Sequence, residues 1–177
     1  MKTHLFPALK LTLLIVIFFA IIYPIAIGGV AQFSTNNGKG DYNNIGQSFT
    51  EDKYFWSRPS AVAYNAAGSA GSNKGPSNAD YLALVQERID TFSVHNPAVR
   101  KSDIPVDLIT ASGSGLDPDI SVQAAKVQVP RIAALRGISE DKLYKLIEEN
   151  TQGPLLGLFG PEKINVLQLN LSLDQLK

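Results

Sequence analysis

From Leu11 to Phe33 the chain carries no charged side chain, reading LTLLIVIFFAIIYPIAIGGVAQF directly behind Lys2 and Lys10. At about 1.5 Å of rise per residue such a run reaches roughly 34 Å as a helix, enough to cross a hydrocarbon core of about 30 Å. A removable secretory signal is the competing reading, because Gly29 and Ala31 before Gln32 resemble a small-x-small cleavage site. The run is longer than the usual signal core of about 7–15 residues, and Tyr23 and Phe33 suit the interfacial aromatics of an anchor. The expectation is therefore one membrane-spanning helix over 11–33 behind a short N-terminal segment, 1–10. Lys2, Lys10 and the free amine precede the run, and the first cation after it is Lys39. The positive-inside bias thus points the N-terminus to the cytoplasm and the bulk of the chain outward.

Within the span, Ala20, Pro24 and Gly28 recur at every fourth position, as Ala8 and Thr12 do earlier. Small residues at that spacing let a second helix approach closely, which is how transmembrane helices associate without a hydrophobic drive between them. Pro24 lacks a backbone donor and is expected to kink or end the helix.

The 144 residues beyond Phe33 suffice for one domain with its own core. Sixteen basic residues balance sixteen acidic ones and form no basic stripe, which argues against a nucleic-acid partner. Cysteine is absent, so disulfides, thiolate metal sites and a Cys nucleophile are excluded. Ser34 to Gly46, rich in Asn and Gly, reads as a flexible connector to a domain over 47–177.

In that domain Phe49, Tyr54, Phe55 and Trp56 form an apolar-aromatic stretch, with Phe55 and Trp56 expected in the core and Arg58 as a contact residue. A Gly/Ser/Asn loop follows over Gly68 to Asn78, and Ser77 or Asn78 suits the cap of a helix from about Ala79 to Val94, with Leu82, Val85 and Ile89 on its inner face. Pro105 to Ile109 reads as a short buried strand running into a second polar loop. Ser121 can cap a helix that Pro130 divides, and Ser139 opens another to about Asn150 with Leu143, Leu146 and Ile147 inward. Alternating Leu167, Leu169, Leu171 and Leu173 within Ile164 to Leu173 predict a half-buried strand. The mixture defines the fold class as a single N-terminal transmembrane helix plus one mixed α/β extracytoplasmic domain.

Chemical motifs are sparse. A Ser-His-Asp triad in the domain would have to use His95, near a helix end. Ser114 between Gly113 and Gly115 does not fit a nucleophile elbow, and the same Gly-Ser-Gly does not extend to a dinucleotide fingerprint because residue 118 is proline. No Walker-type phosphate loop or His/Glu zinc motif occurs. Asp117 and Asp119, with Asp107 nearby, miss the spacing of a calcium loop and suit turns better.

Several blocks nevertheless read together. Residues 54–61 (YFWSRPSA), Tyr64-Asn65 and the loop 71–78 (GSNKGPSN) precede 105–118 (PVDLITASGSGLDP), Ile120-Ser121 and Ala124-Ala125. Val129, Arg131-Ile132-Ala133 and the ending NVLxLN at 165–170 complete the series. In this order they resemble the C subunit family of the bacterial Kdp potassium-transporting ATPase over nearly the whole chain, although Asp119 stands where the family pattern more often has His. The resemblance implies a non-catalytic accessory subunit in the bacterial inner membrane. Its implied partners are the channel-like potassium-binding subunit, the P-type ATPase subunit and the small single-helix subunit of the Kdp complex, together with the lipid bilayer. The complex would use ATP, magnesium and potassium, with no cofactor bound by this chain. A role in nucleotide use, also proposed for the family, fits poorly with an outward domain that has no phosphate loop.

Partner-contact candidates on this reading are Ala20, Pro24 and Gly28 in the span, and Arg58, Asn73, Lys74, Ser112, Ser114 and Asp117 in the domain. The polar loops offer backbone oxygens of the kind potassium favours, while tight turns that need glycine explain them more simply. The alternative function is a membrane-anchored periplasmic binding or hydrolase domain acting on its own, the latter through Ser112 or Ser114 with His95.

Overall fold

A computed structural model of the chain describes residues 2–32 and 42–176, which fall into two units, one on each side of residues 41 and 42. Phe33 and most of the 34–46 connector lie outside the described residues.

The first unit is a helix in three consecutive pieces: α1 (Lys2–Ile17), a π-helical turn (Phe18–Ile22) and α2 (Tyr23–Gln32). The segment His4–Val30 is long and apolar enough to cross a membrane. Pro24 does not end the helix. The chain widens just before it instead, the Tyr23 N–H reaching back five residues to the Phe18 carbonyl. The cause is local: proline has no N–H to donate, and its ring crowds the carbonyl four residues back, that of Ala20.

The second unit begins with a 3-10 turn at Tyr42–Asn44. The segment just after the undescribed residues is packed down: the Gly46 N–H donates to the Leu116 carbonyl (2.7 Å), and Asn165 Nδ2 donates to the Asn43 carbonyl (2.6 Å). Helix α3 (Ala79–His95) starts at Asn78, whose side chain accepts the Tyr81 N–H. Its inner face differs from expectation. Leu82 is 51% exposed and Val85 and Ile89 are half-buried, so Phe92, near the C-terminal end, carries the burial.

Residues 105–109 form no strand. Val106–Leu108 is a 3-10 turn with Leu108 alone facing the core, because Asp107 turns away to accept the Ser121 N–H (2.7 Å) and hydroxyl (3.2 Å). The strands are short: β1 (Asp119–Ile120), β2 (Thr151–Gln152) and β3 (Lys163–Asn165), antiparallel in the order β1-β3-β2. Asp119 faces Asn165 across one pair and Thr151 faces Ile164 across the other.

Helices cover this small sheet. Ser121 caps α4 (Val122–Lys126), and Pro130 falls in the first turn of α5 (Val129–Arg136), where its missing N–H is harmless. Helix α6 (Glu140–Asn150) buries Leu143, Leu146 and Ile147. The predicted C-terminal strand is helix α7 (Val166–Gln175), capped by Asn165, whose side chain accepts the Gln168 N–H. Val166, Leu169, Asn170 and Leu173 face inward, while Leu171 stays 49% exposed. Phe55, Ala124, Val129, Ile132, Leu143, Ile147, Ile164 and Leu169 make the centre of the core.

Candidate functional site

The aromatic stretch forms no secondary structure of its own, so its backbone polar groups need partners from elsewhere. They come from buried amides. The Phe55 N–H donates to Asn170 Oδ1 (2.9 Å) while Asn170 Nδ2 donates back to the Phe55 carbonyl (3.0 Å), and the Trp56 N–H donates to Gln128 Oε1 (2.7 Å). Arg131 completes the clamp. Its guanidinium donates to the Asp52 and Tyr54 carbonyls, to Asn96 Oδ1 and to Gln128 Oε1, and it stacks 4.7 Å from the Trp56 ring. Burial pushes its pKa down to about 10, partly opposed by Asp52, so the group stays charged at neutral pH. Phe55 is fully buried and Trp56 half-buried, so both belong to the core side of this segment.

The clamped segment delivers Arg58 to the second polar loop, where its guanidinium meets Asp117 at 2.7 Å. Around that ion pair the loops 58–71 and 112–117 are joined repeatedly. The Ser60 hydroxyl donates to the Gly115 carbonyl (2.6 Å) and accepts the Val62 and Tyr64 N–H groups, the Tyr64 hydroxyl donates to the Arg58 carbonyl, and the Ser69 hydroxyl donates to the Ser114 carbonyl (3.0 Å). Burial pushes the Tyr64 phenol pKa up. Gly115 has φ of +67°, and a Cβ there would lie 2.7 Å from the Ala70 carbonyl oxygen. The backbones thus touch at a point that admits no side chain.

The structure gathers Arg58, Ser112, Ser114 and Asp117 into this knot. Ser112 is buried and its hydroxyl accepts the Gly115 N–H (3.0 Å), so it shapes the loop from within; Ser114 is exposed, and its hydroxyl accepts the Leu116 N–H (3.1 Å). Asn73 and Lys74 sit on the exposed 71–78 loop, Asn73 at φ of +50°. Ala20 lies in the π-helical turn and Pro24 and Gly28 in α2, all exposed.

The acidic groups are engaged one by one. Asp117 faces Arg58, Asp119 pairs with Lys163 Nζ at 2.6 Å, and Asp107 holds Ser121. Among the described residues no cluster of His, Asp and Glu has the makings of a metal site. His95 ends α3, with Nδ1 3.0 Å from Asp52 and its ring 5.0 Å from Trp56, while Ser112 and Ser114 bond within their own loop. Three features escape a reading of the sequence: the clamping amides Gln128 and Asn170, and an exposed apolar turn over 153–160. The amides carry no local signal, since each serves a segment more than seventy positions earlier in the chain.

An apolar helix long enough to span a membrane, followed by a mixed domain with internally bonded polar loops, defines a class: a small domain behind one candidate membrane-spanning helix. Residues 5–175 match the family described as KdpC, the K+-transporting ATPase c chain. The chain is similar to the potassium-transporting ATPase KdpC subunit of Flavobacterium johnsoniae, at 56% identity over 184 residues that cover 98% of this chain and 99% of the relative. The corresponding subunit of Bacteroides fragilis is 46% identical over 190 residues (100% and 99% covered), and that of Bacillus cereus 42% identical over 187 (99% and 97%). The chain belongs to the KdpC family and is a membrane-associated subunit of a K+-transporting ATPase.

Proposed function

We propose that this chain is a non-catalytic accessory subunit that stabilises the union of the channel-like potassium-binding subunit with the P-type ATPase subunit. In this reading it is a single-pass protein of the bacterial inner membrane, with residues 1–10 cytoplasmic, 11–33 in the bilayer and the domain on the outer side. The observation that carries it is the knot of polar loops, in which Arg58 is spent on Asp117 and the Ser60, Ser69 and Ser112 hydroxyls on backbone. Such a surface is stiff and presents backbone and side-chain edges in fixed places, the property a docking platform needs.

The helix supplies the second half. Ala20, Pro24 and Gly28 give a partner helix room for close approach, and a domain held beside its partner by that contact binds at high effective concentration. Exposed Asn73, Lys74 and Ser114 are the proposed contacts of the domain, with Arg58 and Asp117 holding the loop that presents them. ATP and magnesium then belong to the ATPase subunit and potassium to the channel-like subunit. Membranes from cells lacking this chain, with the other subunits present, are expected to lose potassium-stimulated ATP hydrolysis. Activity that survives the loss contradicts the accessory role.

A further inference from the structure

The turn over 153–160 exposes Leu155, Leu156, Leu158 and Phe159 by 70%, 81%, 81% and 63%. Exposed apolar residues are ordinary singly; this many on one turn mark a surface that something covers. We propose that this turn inserts its apolar side chains into the interfacial region of the bilayer that the chain itself spans, giving the domain a second membrane contact. The inference rests on the helix being a retained anchor and not on the assembly role.

Three properties favour a lipid surface. First, Gln152 to Pro161 (QGPLLGLFGP) contains no charged residue, so insertion removes no ion from water. Second, the turn meets much of its backbone hydrogen-bond demand itself. Leu155 and Phe159 exchange N–H to carbonyl bonds (2.9 and 3.0 Å), the Gly157 N–H donates to the Pro154 carbonyl (2.9 Å) and the Leu158 N–H to that of Leu155 (3.2 Å). A segment that leaves water needs this, because the hydrocarbon edge offers no partner for a bare N–H. Third, the bilayer is within reach. Ten peptide steps separate Gln32 from Tyr42, at most about 35 Å of chain, and a domain of this length has a radius of gyration of only about 14 Å. Insertion of about 5–10 Å, typical of interfacial segments, would immerse the tip of the turn.

The absence of cysteine makes the test direct. Leu158→Cys in the full chain, labelled with an environment-sensitive fluorophore and reconstituted in phosphatidylcholine/phosphatidylglycerol vesicles, is compared with Lys142→Cys on the exposed side of α6. The Leu158 probe is expected to shift to the blue and to lose emission when nitroxide-labelled lipid is included, the Lys142 probe to do neither. Equal behaviour of the two probes overturns the proposal. So does a blue shift that appears only when the other ATPase subunits are added and resists nitroxide lipid, which would make the occupant a protein surface. Retention of the chain in vesicles after alkaline carbonate washing reports the anchor separately, so failure of the turn to insert is distinguishable from failure of the anchor.

Discussion

Gly115 shows how a single residue fixes the domain's outer loops. Its φ of +67° costs an L-residue strain, and an added Cβ would stand 2.7 Å from the Ala70 carbonyl oxygen, which belongs to backbone and cannot swing aside. Gly115→Ala is expected to destabilise the domain by about 2–4 kcal/mol. Gly113→Ala, where a methyl meets open space, should stay within about 0.5 kcal/mol by chemical denaturation of the detergent-solubilised chain. Asp174 offers a pH-dependent counterpart. Desolvation pushes its carboxyl pKa up, but hydrogen bonds from Arg136 (2.7 Å) and Tyr54 (3.0 Å) together outweigh it and hold the value below the ordinary range. A lowered folded-state pKa stabilises above the unfolded value, near 4, and the benefit disappears as pH falls through the folded one. Because Asp174 is half exposed, the wild type should exceed Asp174→Asn by only about 0.5 kcal/mol at pH 7. The gap should close on acidification below about pH 4, and a difference that persists or grows there would contradict this assignment.

Among the elements, α7 is the instructive one. Leucine at every second position from 167 to 173 satisfies a strand period. The buried set, Val166, Leu169, Asn170 and Leu173, follows the helical spacing of three, four and seven. The two patterns share Leu169 and Leu173, and Asn170 hid the helical one because a polar residue at a core position reads as a surface residue. What decides the matter is the Asn165 cap and the need of the Phe55 backbone for a buried amide. Leu169→Ala and Leu173→Ala should each cost about 2–4 kcal/mol, whereas Leu171→Ala should lie within about 0.5 kcal/mol. A strand with one buried face would make all three alike. The opposite case is α6, legible because Leu143, Leu146 and Ile147 form an unambiguous inner stripe behind Ser139, Glu140 and Asp141. Residues 105–109 misled for another reason. A short apolar run has no period of its own, and its conformation follows from Asp107 bonding Ser121, a contact between segments that no local pattern encodes.

For the whole molecule, the sequence made the two-part organisation plain, since a charge-free run of this length can do little else than cross a membrane or be cleaved. The polar loops were recognisable as blocks, yet their mutual bonding was not, because Ser60, Ser69 and Arg58 reach partners 45 to 59 positions away. That bonding joins into one surface segments that read only as separate polar loops and tight turns. In the proposed role, helix and domain together hold a larger membrane complex. That role is tested by affinity purification of the full chain from detergent-solubilised membranes of cells expressing all of the ATPase subunits. The channel-like and ATPase subunits are expected to co-purify with the wild type, and Gly28→Leu, which blocks close helix approach, is expected to reduce their recovery. A chain that purifies alone, or whose partners are recovered equally with Gly28→Leu, would contradict it.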